Sequence, residues 1–306
     1  MKRLMVTGLD GFVGRHVKRA VEDSRDRRFE LVEPRSAIEL TEPATLKQAI
    51  EETRPDSVLH LAAQSFIPAS VKDPRATYEV NFFGTLNLLQ TLKAGGFRGR
   101  MLYVGSADAY GAVRDEDLPI LESHPLRPRT PYGVSKAAAE LLCYQWTQDQ
   151  GFEIVMSRPF NHLGPGQAEH FVVPDFAKQI MEIKLGRREP VIKVGAIDVT
   201  RDFTDVRDVA LAYLALMEQG SRGEVYNVCS GREYSIREVL DELIRLAGVE
   251  CKIVGEDSRL RAAEHRRSRG SFDKLKKCTG WQPRIAMTDS LRDVLAHWDK
   301  KLVNGK

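Results

Sequence analysis

Long apolar runs, paired cysteines and a strong excess of one charge are all missing from this 306-residue chain. No stretch approaches the ~20 apolar residues of a membrane span, and Asp10 interrupts the segment behind Lys2-Arg3, so neither a membrane partner nor a signal peptide is expected. The expectation is a soluble, cytoplasmic protein. Cys143, Cys229, Cys251 and Cys278 stand singly, with no CxxC pair and no histidine at ligand spacing, which argues for a reducing compartment and against a metal site. Lys plus Arg number 46 against 43 for Asp plus Glu, and a net charge of +3 is too small for the broad positive field that a phosphate backbone requires. Nucleic acid is not the expected partner.

What the chain does have is 42% hydrophobic residues over a length that exceeds one ordinary compact domain, so one large domain or two smaller ones should form. RLMVT, from residue 3, runs into GLDGFVG and then into an apolar-periodic segment through Val17 and Val21, a strand, a glycine turn and a helix. Short apolar runs follow at FELVE (29–33), SVLHLAA (57–63), MLYVGS (101–106) and EIVMSRP (153–159), with helical patterns between them. The alternation predicts an α/β fold with a doubly wound parallel sheet. Residues 76–95 and 131–150 read as long helices, the second opening on Pro131. Beyond Pro159 the pattern loosens: NHLGPGQ (161–167) reads as a loop, VPDFAKQIMEIKLG as a helix, and RDFTDVRDVALAYLALME (201–218) as a strongly periodic helix.

Gly8, Gly11 and Gly14 recur at intervals of three between the first strand and its helix. Glycine there lets backbone approach a pyrophosphate, whose charge the helix N-terminus stabilises; the plainer reading is a glycine-rich connecting turn. The second strand ends on Glu33-Pro34-Arg35-Ser36, which offers a carboxylate for a ribose 2′-hydroxyl, an arginine for a 2′-phosphate, or two solvated loop charges. Tyr132 and Lys136, four apart at the start of a helix, share one face, and a neighbouring ammonium should lower the tyrosine pKa toward proton transfer at neutral pH. Ser106, at a strand end, belongs to the edge where doubly wound sheets bind ligands, and is either a carbonyl-orienting hydroxyl or an ordinary turn residue.

Taken together, TGxxGFxG (7–14), HLAA (60–63), Asn81 in VNFFGTLNLL, Ser106 before the 110–111 YG pair, Tyr132 with Lys136, RPFN (158–161) and RDFTDVRD (201–208) resemble the extended short-chain dehydrogenases/reductases that act on nucleotide sugars, in the family's order and over nearly the whole chain. The resemblance implies a Rossmann domain from 1–162 and 201–228, and a smaller C-terminal α/β substrate domain from 163–200 and 229–306. It makes Tyr132 the acid/base, Lys136 its partner and a cofactor ligand, and Ser106 the carbonyl-orienting hydroxyl. It places Gly8, Gly11, Phe12, Val13 and Gly14 at the cofactor pyrophosphate, Leu61, Ala62 and Ala63 along the cofactor, and Glu39-Leu40 where many members carry Asp-Leu near the adenine. Asn161, Arg201 and Arg261 fall at substrate positions, the two arginines at the sugar nucleotide's diphosphate. Arg35 and Ser36 favour NADPH, with NADH also accepted.

Within the family, RPFNHLGPGQ, the run IKVGAIDVTRDFTDVRDV and YNVCSG (226–231) imply reduction of the C4 keto group of a GDP-linked 4-keto-6-deoxy sugar. The alternatives are a 4,6-dehydratase, a 4-epimerase, or, from another class, a non-catalytic dinucleotide-binding regulator. Binding alone would not require Ser106, Tyr132 and Lys136. In the dehydratases an acid/base set follows the catalytic hydroxyl; here Asp108 stands for their glutamate and Ala107 has no proton to give. A homodimer, packing the helices around 82–95 and 132–150 across a twofold axis, is the family expectation. Of the arginines crowded into 259–269, Arg261 alone carries the diphosphate role, and His162 and His170 read as polar loop residues rather than metal ligands.

Overall fold

A computed structural model describes residues 1–24, 27–256 and 267–304. The first half alternates as expected: β1 (Lys2–Thr7), α1 (Phe12–Glu22), β2 (Phe29–Leu31), α2 (Pro43–Thr53), β3 (Ser57–His60), α3 (Ile67–Lys72), α4 (Pro74–Tyr78), α5 (Gly84–Ala94), β4 (Arg100–Val104), α6 (Pro131–Asp149) and β5 (Glu153–Pro159). The remainder comprises β6 (Asn161–Leu163), α7 (Val172–Lys184), β7 (Val191–Val194), β8 (Thr200–Arg201), β9 (Phe203–Asp205), α8 (Val206–Gln219), β10 (Val225–Val228), β11 (Tyr234–Ser235), α9 (Ile236–Ala247), β12 (Lys252–Gly255), α10 (Asp273–Thr279) and α11 (Met287–Val303).

Six strands form one parallel sheet in the order β10-β5-β4-β3-β1-β2. The chain leaves β1 toward β2 and then crosses back to β3, so the strand order reverses between β1 and β3 and opens a crevice at their carboxyl ends. Alternation within β1 feeds both faces: Leu4 and Val6 pack with Val17, Val209 and Tyr213 under α1 and α8, while Met5 packs with Leu88, Leu92 and Met101 under α2, α5 and α6. A second core joins α7, α9 and α11 around Phe176, Ile180, Leu240, Leu243, Leu291 and Trp298, beside the paired β7 and β12. Residues 272–281 depart from that lobe, since Leu275 and Trp281 pack into the core beneath α8.

Several sequence expectations change at their ends. Residues 76–95 form no single α-helix: a π-helical turn at Glu79–Phe83 separates α4 from α5 and turns Asn81 inward, where its Oδ1 accepts from Gln64 N at 2.8 Å. The 201–218 segment is helical only from Val206, because Phe203–Asp205 pairs with β6 and the Asp205 carboxylate caps α8 by accepting from Arg207 N at 2.8 Å. Asn161–Leu163, read as loop, is the other partner in that ladder.

Beneath the sheet's carboxyl edge, Arg158 at the end of β5 holds Glu140 of α6 through two bonds, Nε to Oε2 at 2.8 Å and Nη2 to Oε1 at 2.6 Å. Its Nη1 donates to Glu122 O at 3.0 Å and its guanidinium lies 4.7 Å from the Tyr110 ring centroid. Both partners are nearly fully buried, so removing one strands a desolvated charge. Glu140→Ala should therefore lower unfolding free energy by about 3–5 kcal/mol, measured by urea denaturation; a loss under about 1 kcal/mol, the range of exposed pairs, would contradict the assignment.

Candidate active site

Gly8 follows β1 at φ +76°, and a Cβ there would stand 3.0 Å from the backbone N of Ala62. A Cβ on Gly14 would lie 2.3 Å from Leu9 O and 2.4 Å from Gly8 O. The first turn of α1 thus folds directly onto the glycine loop, and its N-cap, Gly11, makes no side-chain capping bond. Amides of Phe12 and Val13 sit in that uncapped turn, a ready anion site. Across the crevice, Leu61 N donates to Thr7 O at 3.2 Å, which sets Leu61-Ala62-Ala63 beside the loop. These residues fit a dinucleotide pyrophosphate on the space that side chains would otherwise fill.

A chain of buried polar groups connects this loop to α6. Ala62 N donates to Thr7 Oγ1, which lies 2.7 Å from His60 Nδ1; His60 Nε2 lies 3.0 Å from Thr85 Oγ1, which donates to Asn81 O at 2.7 Å. With the Thr85 proton spent on Asn81 O, His60 must donate from Nε2 and accept from Thr7 at Nδ1. Burial pushes the His60 pKa down to about 3, so the imidazole stays neutral as this arrangement requires. Asn81 Nδ2 then donates to Ser135 Oγ at 2.9 Å, and Ser135 Oγ to Tyr132 O at 2.7 Å. Of these groups the sequence reading had quoted Thr7, His60, Ala62, Asn81 and Tyr132 within its motifs, without a network among them; Thr85 and Ser135 carried no signal beyond being polar residues among apolar ones.

Tyr132, Lys136 and Ser106 come together as anticipated. Thr130 caps α6 by accepting from Gly133 N, Pro131 occupies its first turn, and Tyr132 N donates to Ser70 Oγ at 3.3 Å. Ser106 Oγ accepts from Asp108 N at 3.1 Å and donates to Asp108 Oδ2 at 3.2 Å, and it lies near enough to the Tyr132 hydroxyl to favour its ionised form. Lys136 Nζ donates to Val104 O at 2.8 Å and lies 5.4 Å from the Tyr103 ring centroid. The expected lowering of the tyrosine pKa is corrected here: burial raises it well above the ordinary value, the Asp108 charge adds to the rise, and Ser106 only partly opposes it. Lys136 exerts no such pull, since its ammonium is turned to the Val104 carbonyl, and burial lowers its own pKa to about 8.

The remaining candidates are less concentrated. Arg35 is exposed, with its backbone N donating to Glu52 Oε2 at 2.9 Å, while Glu33 is engaged by Lys18 at 2.6 Å. Glu39 is exposed; Leu40 is buried and its carbonyl accepts from Asn87 Nδ2 at 3.0 Å. Asn161 is exposed on β6, and Arg201 sits half-buried on β8, opposite Tyr234 of β11. Arg261, with Arg259 and Arg266, lies outside the described residues. Arg267 is no free surface charge: it pairs with Glu233 through Nε at 2.8 Å and Nη2 at 2.7 Å. His162 stacks on Phe12 at 6.0 Å, and His170 lies 4.5 Å from both Phe66 and Phe171.

Residues 16–294 match the family model described as GDP-mannose 4,6 dehydratase. The chain belongs to that family of extended short-chain dehydrogenases/reductases. It is 46% identical over 301 residues to the GDP-6-deoxy-D-mannose reductase of Pseudomonas aeruginosa, covering 98% of each chain. Among solved structures it resembles RMD from Pseudomonas aeruginosa complexed with NADPH, with a TM-score of 0.94 and 46% identity over 98% of this chain and 100% of that one. The Thermus thermophilus UDP-glucose 4-epimerase in complex with NAD superimposes with a TM-score of 0.85 at 29% identity, over 97% of this chain and 98% of that one.

In this dehydrogenase/reductase the glycine loop is tested most directly at Gly14, where a methyl would meet backbone atoms that cannot rotate away. Gly14→Ala should weaken NADPH binding by at least about tenfold, a shift of ~1.4 kcal/mol, in a fluorescence titration of protein that still folds. Unchanged affinity would remove the loop from the cofactor site.

Proposed function

We propose that this protein reduces the C4 keto group of GDP-4-keto-6-deoxy-D-mannose to give GDP-D-rhamnose, using NADPH or NADH. The observation that carries the reading is Ser106, Tyr132 and Lys136 assembled beside the β1/β3 crevice, in a chain 46% identical to a GDP-6-deoxy-D-mannose reductase along 98% of its length. The nicotinamide, when bound, supplies the hydride. Ser106 orients the substrate carbonyl, and Tyr132 delivers a proton to the oxygen as charge develops there. A tyrosine whose ionisation is opposed by burial and by Asp108 is held as an acid, which suits reduction. Lys136, its ammonium held on the Val104 carbonyl, would bind the cofactor ribose. Gly8, Gly11, Phe12, Val13 and Gly14 would hold the pyrophosphate, Leu61, Ala62 and Ala63 the cofactor's flank, Arg35 a 2′-phosphate, and Asn161, Arg201 and Arg261 the sugar nucleotide.

In this reading the two cores are a cofactor lobe (1–162 and 201–228) and a substrate lobe (163–200 and 229–306), the latter returning α10 to pack on α8. The protein acts in the cytoplasm as a homodimer. Val134, Leu141 and Tyr144 support the dimer, because they form an exposed apolar stripe at helical spacing on α6, with Phe83 exposed nearby in sequence to α5.

Ala107 carries no ionisable group beside Ser106 and Asp108, so removal of water from C5 and C6 lacks an acid. Incubated with the preformed 4-keto sugar and NADPH, the protein should yield the deoxyhexose; with GDP-mannose and oxidised cofactor it should release no water. Mass spectrometry showing loss of water from GDP-mannose would replace the reductase by a dehydratase.

The pH dependence has a definite sign. Lys136 carries its charge below about pH 8 and loses it above, while Tyr132 stays protonated across that interval. The reductive kcat/KM, which reports the free enzyme, should therefore fall as pH rises through about 8. Tyr132→Phe should lower turnover on the order of a hundredfold and leave that break in the residual rate; a break that vanishes in the variant would assign it to Tyr132.

A further inference from the structure

Among the described residues the most buried carboxylate belongs to Asp202, between β8 and β9, with no exposed surface. Its Oδ1 accepts from Ser230 N at 2.7 Å and Ser230 Oγ at 2.6 Å; its Oδ2 accepts from Gly231 N at 3.0 Å and Gly270 N at 3.1 Å. Three distant segments, 200–205, 229–232 and 267–271, thus meet on one side chain. Arg201 directly precedes Asp202, and Arg269 directly precedes Gly270. Glu233 collects the other groups nearby, accepting from Thr200 Oγ1 and taking both arms of Arg267. Arg269 lies within charge reach of Glu233, but its buried Nε has no hydrogen-bond partner among the described residues. A buried N–H left unpaired costs free energy, and one on a guanidinium beside this junction points to an anionic acceptor that arrives with the substrate.

We propose that Asp202 is a positioning residue for the substrate's diphosphate: it clamps the 229–232 and 267–271 segments to β8 so that Arg201 and Arg269 stand at a fixed separation, with Arg269 a direct diphosphate ligand. The inference rests on the GDP-sugar reading above. Desolvation drives the Asp202 pKa up to about 6 against the four hydrogen bonds that oppose it, so the clamp is closed and charged at neutral pH. Asn at this position would turn an NH2 group toward backbone N–H donors, opposing donor to donor, and loosen the junction without changing its volume.

Titration calorimetry with GDP and, separately, with NADPH tests this on the full-length protein. Asp202→Asn should weaken GDP by about tenfold or more and leave NADPH within about twofold, with KM for the keto sugar raised and kcat largely retained. Ser230→Ala removes one of the four donors and keeps the backbone, so it should weaken GDP by a smaller factor in a protein that folds even if Asp202→Asn does not. Arg269→Met should weaken GDP as Asp202→Asn does, and the double variant should be no weaker than the worse single, since both act through one contact. Equal losses for GDP and NADPH would reduce Asp202 to general support of the fold, and unchanged GDP affinity in all three single variants would overturn the proposal. Wild-type protein that binds NADPH but not GDP would instead overturn the substrate reading, and this inference with it.

Discussion

Polar groups buried at the carboxyl edge of the sheet must find partners away from water, and a neutral imidazole links two of the hydroxyls there. His60 stands between Thr7 and Thr85, and through them between the glycine loop and the helix that carries Tyr132. Because each hydroxyl has a single proton, the chain from Ala62 N to Tyr132 O has only one consistent direction. That directionality ties the two halves of the site together more firmly than packing alone would, since a break anywhere strands a buried donor or acceptor. A charged His60 would have to donate from both nitrogens and would reverse the Thr7 bond; burial keeps the ring neutral and the pattern intact.

Electrostatics at the reacting end follow from the same burial. Tyr132, Ser106 and Lys136 are each nearly sealed from solvent, so desolvation outweighs the charge effects that helical spacing alone suggests. The result is a protonated phenol beside an amine with a lowered pKa. Asp108 reinforces the rise of the phenol's pKa from two residues beyond Ser106.

The lobe built on α7, α9 and α11 is organised by a different device. Its apolar core around α7, α9 and α11 explains its stability but not its aim toward the crevice. Aim comes from short parallel and antiparallel ladders, β6 with β9 and β8 with β11, and from the buried Asp202 junction that pins three loops to them. Ladders this short are weak alone, so a multiply bonded carboxylate is a reasonable way to keep their ends in register.

Local pattern was enough to read the alternating α/β layout, the glycine loop, and the placement of Tyr132 with Lys136, because strand period, glycine spacing and an i,i+4 helical pair are all encoded within a few residues. The same locality misled where partners lie far along the chain: Phe203–Asp205 looks helical until β6 claims it, and residues 76–95 look like one helix until Asn81 turns inward to Gln64. His60, Arg158 with Glu140, and Asp202 were invisible as devices, since Asp202 reaches 68 positions to Gly270 and Thr7 reaches 53 to His60. The sign of the Tyr132 shift was likewise a tertiary decision. Residue spacing set which groups could meet, but how much water the fold left around them decided which form of each was stable.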